Sequence, residues 1–340
     1  MPAVDPTTGS GRSAIRKRIA DLPRSSRRRA IELALLALLV VVPLVSADAF
    51  FVDRLGRYLL WAALAVSLDL IWGFGGILSF GHAAFFGGAG YVVGLLTTTQ
   101  AGVLPLGVWP AIALAVVASA ALAAIVAGAA FRGRTPLRGV EFALVTLAVA
   151  FLFEQYARSS RVLGGQNGIL LQGQLSVAGW SVHRGRGFYA LALVVLVVSY
   201  LLCAAFLRAR SGRVLQAVRE NEERVETLGY DAGRVRFQVY VLSGAIAGAA
   251  GAVFYVHDQI VSPGAVGVGA STLVLLWVVL GGRGTLLGPV VATVLLQHLT
   301  ATLSGTFLDT WLFAVGTLLI VAILLLPGGL LGWVGRGQMR

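Results

Sequence analysis

The chain has 340 residues, enough for two or three soluble domains, yet 57% of them are apolar and 12% are charged, where a soluble domain carries about 25% charged residues. That much apolar surface cannot be hidden in one water-soluble core of this size, so a soluble globule is excluded and a polytopic membrane protein is indicated. The formal net charge of +12 would suggest nucleic acid in a soluble protein, but here the basic residues fall between apolar runs and the charge reads as membrane topology. A single cysteine, Cys203, excludes an intrachain disulfide and a cysteine metal cage. Glycine, at 43 residues, is nearly twice its usual share of about 7%, which in lipid serves close helix crossings or broken backbone.

The N-terminal tail carries Arg12, Arg16, Lys17, Arg18, Arg24, Arg27, Arg28 and Arg29 ahead of the first apolar run. That run ends in Val45-Ser46-Ala47, which resembles a signal-peptide cleavage site; the tail is long for the basic region of a signal peptide, so a retained first span is expected. A tail of this kind can rest on anionic lipid, at about 1 kcal/mol per basic residue near the surface.

Hydropathy places spans at about 31–47, 55–73, 77–97, 106–130, 138–156, 188–207, 236–256, 269–281, 285–303 and 308–326, the eighth being short for a full crossing. The expected fold class is all-α: a polytopic membrane protein of about ten transmembrane or partly re-entrant helices. With a cytoplasmic N-terminus, the inner segments hold 21 of the 27 basic residues, against Arg54, Arg57, Arg158, Arg161, Arg184 and Arg186 outside, which is the positive-inside asymmetry.

Four segments depart from plain lipid-spanning helix. The first, Gly73 to Tyr91, places seven glycines, Ser79 and His82 at membrane depth, so it lines either a passage or a tight helix contact. His82 itself suits either a passage or a packing histidine bonded to a neighbouring carbonyl. The second is the outer loop 157–187 with Gly164-Gly165-Gln166-Asn167-Gly168, which suits either a docking surface or a solvated connector. The third is the inner loop 208–236. Ser211 or Gly212 can cap a helix of about sixteen residues that Gly229 stops after Leu228. Val214, Leu215, Val218, Val225 and Leu228 lie near one face, with Arg219, Glu220, Glu222, Glu223 and Glu226 elsewhere. A short helix with a modest apolar stripe must lie against something, either this chain's own span ends or a soluble partner. The fourth is a pair of glycine-rich stretches: Gly244 and Gly248 have the spacing of a close helix crossing, and Gly281-Gly282-Arg283-Gly284 breaks the chain before Gly288-Pro289 opens the next span. That break is similar to Gly75-Gly76 to Gly81, which allows a weak internal repeat.

Of the acids, Asp69, Glu141 and Glu154 lie within or at the ends of spans, and none is forced into a proton relay. Paired-histidine zinc helices, a Gly-x-Ser-x-Gly elbow and a phosphate loop are all missing; the sole lysine, Lys17, follows Arg16, where a phosphate loop needs glycine. Enzyme chemistry, a metal site and a cofactor in this chain are therefore not expected, and any ATP is used by another chain.

Three motifs in register carry a resemblance: Gly76-Ile77-Leu78-Ser79-Phe80-Gly81-His82-Ala83-Ala84-Phe85-Phe86; then Ala217-Val218-Arg219-Glu220-Asn221-Glu222 with Gly229; then Val279-Leu280-Gly281-Gly282-Arg283-Gly284-Thr285 with Gly288-Pro289. They resemble the permease of high-affinity branched-chain amino acid ABC importers, over roughly residues 30–332. The resemblance implies a permease in a prokaryotic inner membrane. It also implies a second, homologous permease, two cytoplasmic ATP-binding subunits and an extracytoplasmic solute-binding protein as partners. On that basis the organisation is a basic cytoplasmic tail (1–30), a transmembrane permease domain (31–332) with a coupling loop at 208–236, and a cytoplasmic tail (333–340). Ser79, Gly81, His82 and Tyr91 are the expected translocation-pathway residues; Arg219, Glu220, Asn221, Glu222 and Gly229 are expected to couple to the ATPase; Gly244, Gly248, Gly281, Gly282, Gly284 and Gly288 are expected to pack helices.

The chain departs from the family at Ile77, where glutamine is frequent, at Asp69, where asparagine is common, and at Phe151, where the family's glutamate falls, with Glu154 one turn later on the same face. Urea and short-chain amide importers have similar permeases, and Trp277, Asn167-Gly168 and Trp311-Leu312-Phe313 lean towards them. An ATP-independent secondary carrier and an intramembrane enzyme are the remaining classes, and neither accounts for an inner helix with a glycine stop. The charge partition predicts that cysteines placed at Ser176 and Thr227, on a Cys203→Ala background, label from opposite faces with an impermeant maleimide. Labelling of both from outside intact cells would refute this topology.

Overall fold

The computed structural model describes residues 48–98, 106–133, 139–177, 180–182 and 184–306, with scattered positions in 39–46, 137 and 313–331. The chain divides into two compact units, Met1–Ala47 and Asp48–Arg340. In the first, Leu39, Val41 and Pro43 are helical; the spans expected at 31–47 and 308–326 lie mostly outside the described residues. The remaining description concerns the second unit.

Helix α1 (Ala49–Asp69) starts at Asp48, whose carboxylate accepts the Phe50 N–H, and runs on into a π-helical turn, Leu70–Phe74. Helix α2 (His82–Thr97) begins five residues later than the hydropathy boundary at 77. Gly76 at φ +71° turns the chain out of the helix, and the Ile77 N–H returns to the Ile71 carbonyl, so residues 77–81 cannot join α2. Helices α3 (Val108–Phe131) and α4 (Val140–Ser159) follow, then a loop with three short strands, β1 (Ile169–Leu170), β2 (Ser176–Val177) and β3 (Trp180–Ser181). Helix α5 (Gly185–Arg208) leads into α6 (Arg210–Glu220) and α7 (Glu222–Thr227). After α8 (Ala232–Asp258) come β4 (Ile260–Val261), a 3-10 turn (Pro263–Val266), α9 (Val268–Gly281) and α10 (Leu287–Thr306).

Among the described residues, six helices are long and apolar enough to cross a membrane: Ala49–Phe74, Val108–Phe131, Val140–Ser159, Gly185–Arg208, Ala232–Asp258 and Leu287–Gly305. Helices α2 and α9 are shorter. Before α9 the chain lies against the middle of α2, where a Cβ on Gly87 would lie 2.6 Å from the Ala265 carbonyl oxygen. The short eighth span of the sequence is a half-length helix.

α1 and α8 are the interior helices, each buried over most of its length, while α4 and α5 turn Leu144, Phe151, Leu152, Val194, Val198 and Leu201 outward. An apolar outer face costs nothing in lipid, whereas interior helices must approach closely to gain packing. Gly244 and Gly248 face Ala123 and Ser119 of α3, and Gly251 lies on the Phe86 carbonyl of α2. The residue-by-residue effect is that small positions on α8 seat two neighbouring helices. Trp61 of α1 stacks on Phe86 (4.6 Å between centroids) and meets Phe254 of α8 and Trp277 of α9 edge-on at 5.5 Å, so four helices share one aromatic cluster.

The described residues of the loop between α4 and α5 cover one end of the bundle. β1 pairs antiparallel with β4 (Ile169↔Val261), Trp109 Nε1 donates to the Ser176 carbonyl at 2.6 Å, and Leu175 is fully buried. At that same end Asp53 accepts the Gly185 N–H (3.0 Å) and pairs with His257 Nε2 (3.1 Å), whose ring stacks on Phe188 at 3.5 Å. Helices α1, α5 and α8 are tied there by one carboxylate.

Packing of this kind predicts a graded response to added methyl groups. Gly251→Ala drives a Cβ into the Phe86 backbone carbonyl, which cannot rotate away, and is expected to destabilise the chain by about 1–3 kcal/mol. Gly269→Ala, in α9 with nothing within 4 Å of the new Cβ, should be neutral or slightly stabilising. Thermal unfolding in detergent distinguishes the two, and equal melting of both variants would contradict the packing described.

Candidate functional site

The three glycine and charge motifs of the sequence converge at the end of the bundle that carries α6 and α7. Asp69, at the last turn of α1, is fully buried, and its two oxygens accept the N–H groups of Gly284 (2.7 Å) and Leu286 (2.9 Å) in the turn between α9 and α10. A carboxylate is costly in an apolar interior unless both oxygens are hydrogen-bonded, and the turn supplies two backbone donors that no helix uses. Gly73 follows on the π-helical turn; a Cβ there would strike both the Asp69 carboxylate and the Gly284 nitrogen. Its carbonyl accepts from Arg219 Nη1 of α6.

The α9–α10 turn is itself tightly determined. Gly282 and Gly284 have φ of +105° and +77°, and Gly281 and Gly288 pack backbone to backbone. The Thr285 hydroxyl donates to the Gly282 carbonyl (2.7 Å) and accepts the Gly288 N–H (3.0 Å). Carbonyls of Leu280 and Gly281, left over at the C-terminus of α9, accept from Leu330 (2.7 Å) and Leu331 (3.0 Å).

Residues 77–81 are broken backbone inside the bundle, and hydroxyls from other helices bond to this segment and to the first turn of α2. Thr146 of α4 accepts the Phe80 N–H (3.1 Å), Ser271 of α9 accepts the Ala83 N–H (3.1 Å), and Ser79 Oγ lies 3.3 Å from Tyr240 OH of α8. Gly81 packs on the Thr146 carbonyl. His82 is fully buried, with Nε2 at 2.9 Å from Ser67 Oγ of α1 and 3.1 Å from Ser243 Oγ of α8. Ser67 already donates to the Leu64 carbonyl and Ser243 to the Ser67 carbonyl, so both serines have used their protons. His82 Nε2 must then be the donor, shared between the two oxygens, which assigns the tautomer. The carbonyl partner expected for a packing histidine is replaced by two serine hydroxyls that relay to carbonyls. Tyr91 is buried against Phe153, ring centroids 6.3 Å apart.

In the loop 208–236, the single helix of about sixteen residues is in fact two. Asn221 adopts extended φ/ψ (−157°, 101°), and its side chain accepts the Arg224 N–H at 2.9 Å, capping α7. Gly229, at φ +84°, ends α7 as the sequence indicates, with N–H bonds from Gly229 to Glu226 and from Tyr230 to Val225. The apolar stripe lies on this chain: Val218, Val225 and Ala232 form one cluster with Val214 against it, and Leu215 packs on Gly75. Leu228 is exposed. Glu222 binds Arg236 of α8 through two bonds, 2.6 and 2.9 Å, so this acid faces inward, while Glu220, Glu223 and Glu226 face outward. A groove of about 290 Å³ opens between Arg210, Val214, Val225, Leu228 and Tyr230, with Arg210 bonded to the Tyr230 hydroxyl (3.1 Å).

Sequence reasoning missed the partners Arg236, Ser67, Thr146, Ser243 and Ser271. Each of the four hydroxyls lies within an apolar stretch of helix, a visible sign of an interhelical bond. Glu154 forms an i,i+4 pair with Arg158 (2.5 Å), which also donates to Gln166 (3.1 Å) and so links α4 to the covering loop. Among the described residues, no cluster of three or more histidines, cysteines, aspartates or glutamates is placed to hold a metal.

Interior broken backbone, half-length helices and apolar outer faces define a multi-pass membrane protein with the architecture of a transport subunit. Residues 51–325 match the family described as branched-chain amino acid transport system / permease component, and the chain belongs to that family. It is 27% identical to the high-affinity branched-chain amino acid transport system permease protein LivM of Salmonella typhimurium, over 88% of this chain and 74% of the relative. Identity is 25% to the corresponding permease protein BraD of Pseudomonas aeruginosa, over 80% and 91% of the two chains, and 24% to a probable branched-chain amino acid transport permease protein LivM of Methanocaldococcus jannaschii, over 82% and 94%. No solved structure is a significant match.

Because Ser67 and Ser243 share one N–H, their removal should be non-additive. Ser67→Ala and Ser243→Ala are each expected to cost about 1 kcal/mol, and the double variant at least about 1 kcal/mol more than their sum, since the buried His82 donor then has no acceptor. A double-mutant cycle on unfolding in mixed micelles measures this, and strict additivity would refute the shared bond.

Proposed function

We propose that this chain is the permease of an ATP-driven importer in a prokaryotic inner membrane and forms the translocation pathway for branched-chain amino acids delivered by an extracytoplasmic solute-binding protein. Its partners in this reading are a second, homologous permease and two cytoplasmic ATP-binding subunits, which use the ATP; this chain contributes no ATPase site and no cofactor. Both termini are cytoplasmic, a reading supported by the partition of basic residues.

The observation that carries the proposal is the form of the α6–α7 loop. One side is fastened to the bundle by Leu215, Val218, Arg219 and Glu222, while Glu220, Glu223, Glu226 and Leu228 are left outward beside a groove. A docking element needs both a rigid attachment and an unused face, and Asn221 and Gly229 fix its ends. Within the expected coupling set, Glu220 is the acid free to meet a partner; Arg219, Asn221 and Glu222 set the loop's shape. The solute path follows the segment holding Ser79, Gly81, His82 and Tyr91, which is closed in the arrangement described, so passage requires α2 to move against α4, α8 and α9.

Hydrogen-bond donors and apolar walls near that segment favour an aliphatic zwitterion over urea, which would use the same donors but gain little from Phe80, Phe85 and Phe86. Reconstitution with the partner subunits and the solute-binding protein tests the reading through uptake of labelled leucine and of labelled urea, each with ATP. Saturable leucine import is expected; urea import without leucine import would reverse the substrate, and ATP-independent import by this chain alone would make it a secondary carrier. In the same vesicles Glu220→Ala and Gly229→Val should lower leucine taken up per ATP hydrolysed. For Gly229 nothing lies within 4 Å of an added Cβ, so valine acts through the left-handed backbone alone, at roughly 1–2 kcal/mol.

A further inference from the structure

We infer that Asp69 is a positioning residue for transport: its carboxylate binds the α9–α10 turn to the π-helical turn of α1 on which the α6–α7 loop bears, so that the loop and α9 move together. The inference rests on the reading of α6–α7 as the loop driven by the ATP-binding subunits, and adds the route by which its movement enters the bundle.

The contacts form a continuous series. Leu215 of α6 packs on Gly75, and the aliphatic stem of Arg219 packs on Gly76, while the Arg219 guanidinium holds the Gly73 carbonyl. Gly73 is in turn pressed between Asp69 and Gly284 with no room for a side chain. Asp69 then holds Gly284 and Leu286, one with each oxygen. Thr285 and the Gly281–Gly288 contact make that turn rigid with the end of α9. From α6 to α9 every step is a hydrogen bond or a backbone contact.

Two features argue that the carboxylate has a role beyond filling space. An apolar residue of similar size would avoid the cost of burying a charge, so packing alone does not call for an acid. Leu286 has φ +54°, a left-handed conformation that a leucine keeps only where its surroundings hold it, and the group holding its N–H is Asp69. The π-helical turn that follows Asp69 widens α1 by one residue, a deformation frequent where a helix does more than span.

The test uses the assembled transporter in proteoliposomes, with labelled leucine uptake and ATP hydrolysis read from the same vesicles. Asp69→Ala removes both acceptors; assembled complexes should hydrolyse ATP within about two-fold of wild type while leucine taken up per ATP falls on the order of ten-fold. Asp69→Asn keeps one acceptor oxygen and turns an NH₂ against the second N–H, so a loss of roughly three-fold is expected, and this variant decides the matter if the alanine variant does not assemble. A wild-type ratio of leucine to ATP in the deciding variant overturns the inference. So does a parallel fall of uptake and hydrolysis at unchanged ratio, which is what a merely structural role would give. Glu220→Ala and Gly229→Val run alongside: if they uncouple and the Asp69 variants do not, only this inference fails, whereas wild-type ratios in all four variants overturn the reading of the loop as well.

Discussion

Backbone N–H and C=O groups kept from water must find partners within the protein, and in this fold that constraint falls on two breaks in helix, residues 75–81 and 282–286. In the first, the Phe80 N–H finds the Thr146 hydroxyl and the Ile77 N–H the Ile71 carbonyl; in the second, the Gly284 and Leu286 N–H groups find the Asp69 carboxylate. Thr146 and Asp69 come from distant stretches of chain, so the breaks are completed only when α1, α4 and the α9–α10 turn are together. What looks like local irregularity is therefore the place where the bundle is most strongly specified.

Small residues serve the same end by another route. Where helices lie in lipid, association draws on close packing and hydrogen bonds in place of the hydrophobic effect. Gly248 and Gly251 let α8 touch α3 and α2, and Gly56 lets α1 approach Phe188 and Tyr189 of α5. Larger side chains collect where gaps are wide, as in the cluster of Trp61, Phe86, Phe254 and Trp277. Trp277, which leaned towards an amide substrate when read as a motif residue, is accounted for by this packing.

In the α6–α7 loop, charged residues fasten short helices to the bundle. Arg219 and Glu222 lie three positions apart on either side of Asn221, and both turn inward, one to the Gly73 carbonyl and the other to Arg236. The extended backbone at Asn221 separates the two helices, and each is fastened to the bundle by its own polar residue, α6 through Arg219 and α7 through Glu222.

The sequence by itself determined the membrane class, the position of most spans to within a few residues, the half-length ninth helix and the glycine stop at residue 229, because each follows from hydropathy, helix length or a backbone conformation that only one residue type adopts readily. It also marked Gly73–Tyr91, residues 217–222 and residues 281–289 as separate places of interest. Only the tertiary structure brought them to one junction, divided the helix of loop 208–236 at Asn221, assigned the His82 proton and gave Asp69 its two donors. Hydropathy and glycine spacing are local properties of the chain. The choice of partner for a buried polar group is not, since Asp69 and Gly284 stand more than two hundred residues apart and nothing along the chain between them records that they meet.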